Sequence, residues 1–176
     1  MSFLVVAVFN DELRAQQAMS ELVRLYKPRP DLENALILTW NGRDPIAQQS
    51  QNLADRKGAG WGVLWGNLLH SVISGMDEVE AAVSTLRGQP FGQLASRKRP
   101  VQEFWNSVFG VPADFIRDVA ALITPGRSAI FFVSRCASLH IAADVTHGYG
   151  GTLLSAPLDT KQMAKIRRYV NSQSAI

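Results

Sequence analysis

His140, Asp144 and His147 have the residue types and the spacing for metal chemistry: they stand at i, i+4 and i+7, so a helix would project all three from one face. The same spacing describes the solvent face of any amphipathic helix, and no recognised metal motif accompanies it. No metal site and no cofactor are therefore assigned. Serines are plentiful, yet none sits in the Gly-x-Ser-x-Gly turn that lifts a nucleophile above a sheet. Asp11 and Glu12 are adjacent, and adjacent helical residues do not face each other as an acid/base pair must. They read as first-turn charges of a helix capped by Asn10, where the helix dipole favours negative charge. No catalytic residue is assigned, and the expectation is a protein that is not an enzyme.

The most informative run is a packing signal. From Gly58 to Met76 the chain carries no formal charge, and it opens Gly58-Ala59-Gly60-Trp61-Gly62-Val63-Leu64-Trp65-Gly66. On a helix Gly58, Gly62 and Gly66 share one face, leaving a groove where another helix backbone approaches closely. Trp61 and Trp65, four apart, are large amphipathic anchors for a contact. The stripe Val101, Phe104, Trp105, Val108 and Phe109 is a second apolar helix face in need of a partner. Gly58, Gly62, Gly66, Trp61, Trp65, Phe104 and Trp105 form the candidate interaction surface. The run also approaches the ~20 apolar residues that span a bilayer. It contains Asn67, His70, Ser71 and Ser74, however, and polar groups in hydrocarbon need partners, which favours burial in protein.

Composition narrows the classes. At 176 residues and 47% hydrophobic content the chain can bury a real core as one domain. The net charge is only +3, and the basic residues are scattered apart from Arg97-Lys98-Arg99 and the tail residues Lys161, Lys165, Arg167 and Arg168. No nucleic-acid partner is expected from so sparse a basic face without a reading motif. The single Cys136 excludes an internal disulfide and reads as a small buried hydrophobe in a reducing, cytoplasmic setting, with membrane association as the alternative. Met1 to Phe9 lacks a basic leading segment and a cleavage site, and reads as a strand.

Along the chain, Ser2 to Phe9 is an almost continuously apolar strand, as expected of a central one. A helix follows with Ala15, Ala18, Met19, Leu22, Leu25 and Tyr26 inward, ended by Pro28 and Pro30. Asn34 to Trp40 is a second strand, and Asn41-Gly42-Arg43-Asp44 is turn chemistry leading into a polar, extended segment through Gln51. After the helical middle, Pro112 opens a helix with Phe115, Ile116, Val119, Leu122 and Ile123 inward. Ser128 to Ser134 is a third strand, and Ser138 caps a helix carrying Leu139, Ala142, Ala143 and Val145. Thr152 to Ala156 is a fourth strand closed by Pro157, and Lys161 to Val170 is a basic helix with Met163, Ile166 and Val170 on its apolar side.

This order supplies the two βαβ halves of a ferredoxin-like α+β sandwich, about 2–52 and 111–158, with a glycine-rich helical insertion at about 53–110 and a basic C-terminal helix at about 160–171. Right-handed crossovers would place the first and third strands centrally. Several segments resemble a known family as an ordered set: Phe3-Leu4-Val5-Val6-Ala7-Val8-Phe9, the glycine/tryptophan run, Asp114-Phe115-Ile116, Thr124-Pro125-Gly126-Arg127-Ser128-Ala129-Ile130-Phe131-Phe132, and Tyr149-Gly150-Gly151-Thr152-Leu153-Leu154. They are similar to the bacterial domain-of-unknown-function family labelled "predicted membrane protein", the twelve-sixty-nine family, over about Phe3 to Ser155 with part of the middle omitted. The resemblance implies this fold and a glycine-rich hydrophobic hairpin, and it brings no established reaction and no catalytic residues. The functional expectation is a non-enzymatic assembly module that self-associates or docks on a protein partner through the Gly/Trp helix. A peripheral or single-pass membrane protein, or a small-molecule-binding or catalytic sandwich, are the alternatives.

Overall fold

The structure is a computed structural model and describes residues 1–26, 32–40, 45–49, 58–72 and 101–174. Five strands form one antiparallel sheet: β1 (Ser2–Phe9), β2 (Leu32–Trp40), β3 (Pro45–Gln49), β4 (Ser128–Arg135) and β5 (Thr152–Leu158), in the order β3-β2-β4-β1-β5. Among the described residues six α-helices accompany them: α1 (Arg14–Tyr26), α2 (Gly58–Val72), α3 (Val101–Phe109), α4 (Ala113–Leu122), α5 (Leu139–Gly148) and α6 (Thr160–Ser174). The polar segment from Pro45 to Gln49 is thus a fifth, edge strand, paired with β2 from Leu36↔Gln49 to Trp40↔Pro45, while the expected turn at Asn41-Gly42-Arg43-Asp44 lies outside the described residues.

Side chains on a strand alternate between faces, so a strand buried on both must be apolar at every position. β1 meets that condition: Leu4 to Phe9 are all buried, flanked by β4 from Ser2↔Arg135 to Phe9↔Ser128 and by β5 from Ser2↔Leu158 to Val8↔Thr152. Its even positions Leu4, Val6 and Val8 join one core cluster with Phe131 and Val133 of β4, and its odd positions Val5, Ala7 and Phe9 join another with Ile130 and Phe132. α1 and α5, which connect β1 to β2 and β4 to β5, cover the second face with Ala15, Ala18, Met19, Leu22, Ala142 and Val145. α2, α3, α4 and α6 cover the first. Helices therefore lie on both faces of the sheet.

Several local expectations need correction. α1 begins at Arg14, not beside Asn10, and no acidic residue lies in its first turn. The Asp11 carboxylate instead accepts from the Leu13 N–H (2.7 Å), a short Asx turn that keeps residues 10–13 out of the helix. The cap comes from across the sheet. Ser128 Oγ, at the start of β4, accepts from the Ala15 N–H (3.1 Å) and donates to the Asp11 carbonyl (2.5 Å). Because Ser128 is buried, Ser128→Ala leaves both backbone groups without that partner, and an expected loss of about 1–2 kcal/mol should appear in urea unfolding. An unchanged midpoint would show that water replaces the hydroxyl.

Ser138 occupies the position before α5 but makes no side-chain cap hydrogen bond, because a 3-10 turn, Cys136–Ser138, precedes it. In that turn Cys136 is exposed, not buried. Pro157 does not end β5, which continues to Leu158. An edge strand tolerates proline because its missing N–H can face outward. α6 has a reciprocal capping box: the Gln162 N–H donates to the Asp159 carboxylate and the Asp159 N–H to Gln162 Oε1, both at 2.7 Å.

Candidate interaction site

α2 is apolar around most of its circumference, and such a helix is stable in water only when buried on several sides. It packs on α6, α3 and α4 and reaches β2. Trp61 and Trp65 stack with ring centroids 5.7 Å apart and planes inclined by 26°. They retain 2% and 0% exposure, and Leu64, Leu68, Leu69 and Val72 are buried in the same cluster. Gly62 and Gly66 are buried as well. The tryptophans thus belong to the chain's own core.

The facing layer is aromatic. Trp105 meets the Phe109 ring edge-on at 5.2 Å, and Phe109 meets Tyr169 of α6 edge-on at 5.8 Å. The Tyr169 hydroxyl accepts from Asn67 Nδ2 at 3.0 Å, which closes a path from α3 through α6 to α2. Gln162 adds a second tie, since its Nε2 donates to the carbonyls of Phe109 (2.8 Å) and Gly110 (3.2 Å) at the end of α3. Of the expected interaction residues, Trp61, Gly62, Trp65, Gly66 and Trp105 are brought together in one layer. Gly58 opens α2 and Phe104 lies in α3, and the surroundings of both fall outside the described residues. Val108, placed by its spacing on the apolar stripe, is 37% exposed. Asn67, Tyr169 and Gln162 are additional members of the layer, and Tyr169 was signalled by its position beside the Met163/Ile166/Val170 stripe. The indole N–H groups of Trp105 and Trp40 are buried without an acceptor among the described residues.

His140, Asp144 and His147 are all exposed on α5, and among the described residues no group of three His, Cys, Asp or Glu side chains is placed to hold a metal. A cavity of about 220 Å³ lies at the start of β1 and the ends of β4 and β5 beside α6, with Ser2, Arg135, Asp159, Thr160 and Arg167 on its walls. On the solvent side of α1 a hydrogen bond from Arg24 holds the Glu21 carboxyl below its usual range, and the same bond raises Arg24. Both are solvent-screened.

Among the described residues no helix is long and apolar enough to cross a membrane. Comparison with curated proteins and with solved structures gives no match. The family described as "protein of unknown function (DUF1269)" matches residues 56–171, from just before α2 into α6, and with well over half its length so matched the chain belongs to that family.

Proposed function

We propose that the chain is a non-enzymatic interaction module, a ferredoxin-like sandwich in which the inserted helix α2 is the docking element for a second copy of the chain. Support for the sandwich is the strand order β2-β4-β1-β5, with both β–α–β connecting helices, α1 and α5, on one face and β3 appended at the β2 edge. Support for an insertion is that α2, α3 and α4 lie between β3 and β4 in sequence and cover the opposite face.

The observation that carries the functional reading is the burial of Trp61 and Trp65 with Gly62 and Gly66 in one helical layer. α2 is a docking helix, and α6 of its own chain is its first partner. A second copy offers the identical surface, so association proceeds by exchange of the helical layer, the lowest-cost route from an intramolecular contact to a symmetric dimer. The Asn67–Tyr169 pair tests this. In a Cys136→Ser background, Asn67→Cys with Tyr169→Cys is treated with a short bis-maleimide at rising protein concentration. Exchange predicts covalent dimers whose share grows with concentration, with circular dichroism unchanged. Cross-linked monomer alone at every concentration, with a monomer in sedimentation, would exclude exchange through α2.

A further inference from the structure

We propose that the outer face of α6 is a docking surface for anionic phospholipid headgroups. The apolar stripe Met163, Ile166 and Val170 is buried in the core, with the helix packed chiefly on α2 and also touching α3 and β5, which fixes the rotation of the helix and turns its basic residues outward. Lys161, Lys165 and Arg168, at i, i+4 and i+7, are all exposed along one line. From Thr160 to the end of the chain there is no acidic residue, and among the described residues no salt bridge engages these three cations.

Because the apolar side of α6 is committed to the core, contact with a bilayer is electrostatic and superficial, without insertion of the helix. The exposed residues on and beside the line of cations, Ala164 and Ser172, are short, so the three long side chains reach a flat layer of phosphates together. The only aromatic ring of the helix, Tyr169, is engaged with Phe109 and Asn67 and is not presented for stacking on bases. Phospholipid is therefore favoured over nucleic acid.

Each cation removed should weaken partition onto an anionic surface about fivefold, so neutralising all three should weaken it about a hundredfold. The test is cosedimentation of the full chain with vesicles of phosphatidylcholine mixed with phosphatidylserine, compared with phosphatidylcholine alone. Lys161→Gln/Lys165→Gln/Arg168→Gln is the variant, with circular dichroism verifying its fold. The expected result is binding to the mixed vesicles only, abolished in about 1 M salt and in the triple variant. Absence of binding at low salt, equal binding to pure phosphatidylcholine, or equal binding by the triple variant would overturn the proposal. So would displacement from the mixed vesicles by a DNA duplex at matched phosphate concentration, which would make the face a general polyanion surface.

Discussion

Trp65→Ala should lower the unfolding free energy by about 3–5 kcal/mol, the range for truncating a fully buried large aromatic side chain. Trp65 is 0% exposed, stacks on Trp61, and sits where α2 meets the other helices over the sheet. Removing its indole opens a cavity that the sheet on one side and the packed helices on the other resist closing. A domain of this size is stable by about 5–15 kcal/mol, so the loss is about a fifth of the total or more. The measurement is urea unfolding followed by circular dichroism, with Trp65→Phe as a milder companion that keeps an aromatic ring in place. A fall in the midpoint with an unchanged slope is expected. A loss below about 1 kcal/mol would mean that α2 is not docked in the solution state, because only surface substitutions are normally so mild. The same experiment bears on the exchange reading: a helix that contributes this much to its own chain is replaced only by an identical helix.

Much of the architecture was legible because it depends on local patterns. The uninterrupted apolar run of β1 has one physical solution, burial on both faces, and the 3.6-residue stripes of α1, α4 and α6 identify their inner sides directly. The edge strand β3 is harder to read. Pro45-Ile46-Ala47-Gln48-Gln49 is short and half polar, and only pairing with β2 makes it a strand. The start of α1 was misplaced because the deciding cap, Ser128, is 113 residues from the N–H it satisfies. Nothing within the local sequence records such a partner. The capping box of α6 differs in kind: Asp159 and Gln162 are three apart, so the signal was present in the sequence. For α2 the composition identified a buried helix, but an apolar face reads the same whether its own chain or a second one covers it. The structure places its tryptophans against the chain's own helices.

Gly148, Gly150 and Gly151 are indistinguishable as letters, yet alanine at each should have a different effect, because α5 hands over to β5 through one defined turn. The Gly150 N–H donates to the His147 carbonyl (3.0 Å) and the Gly151 N–H to the Thr146 carbonyl (2.8 Å), the pair of bonds of a Schellman ending. Such an ending requires a left-handed residue, and Gly150 supplies it with φ of 72°. A Cβ there meets nothing within 4 Å, so Gly150→Ala loses only the torsional preference, about 1 kcal/mol or somewhat more. Gly148 closes the helix and its Cβ also points into open space, so alanine should be neutral or slightly stabilising. Gly151 is the severe case. Its Cβ would fall 2.7 Å from Cδ1 and Cε1 of Phe9 and 2.9 Å from the Val8 carbonyl oxygen. Phe9 is fully buried under α1, and the carbonyl belongs to β1, which pairs with β5 at Val8↔Thr152, so neither can yield without disturbing the centre of the sheet. Gly151→Ala should therefore lower stability by about 3 kcal/mol, at or beyond the upper end for overpacking. Thermal unfolding of the three single variants side by side should rank them Gly148 above Gly150 above Gly151. If Gly150→Ala proves as damaging as Gly151→Ala, torsion dominates the turn and the approach of β5 to Phe9 is looser than these distances indicate.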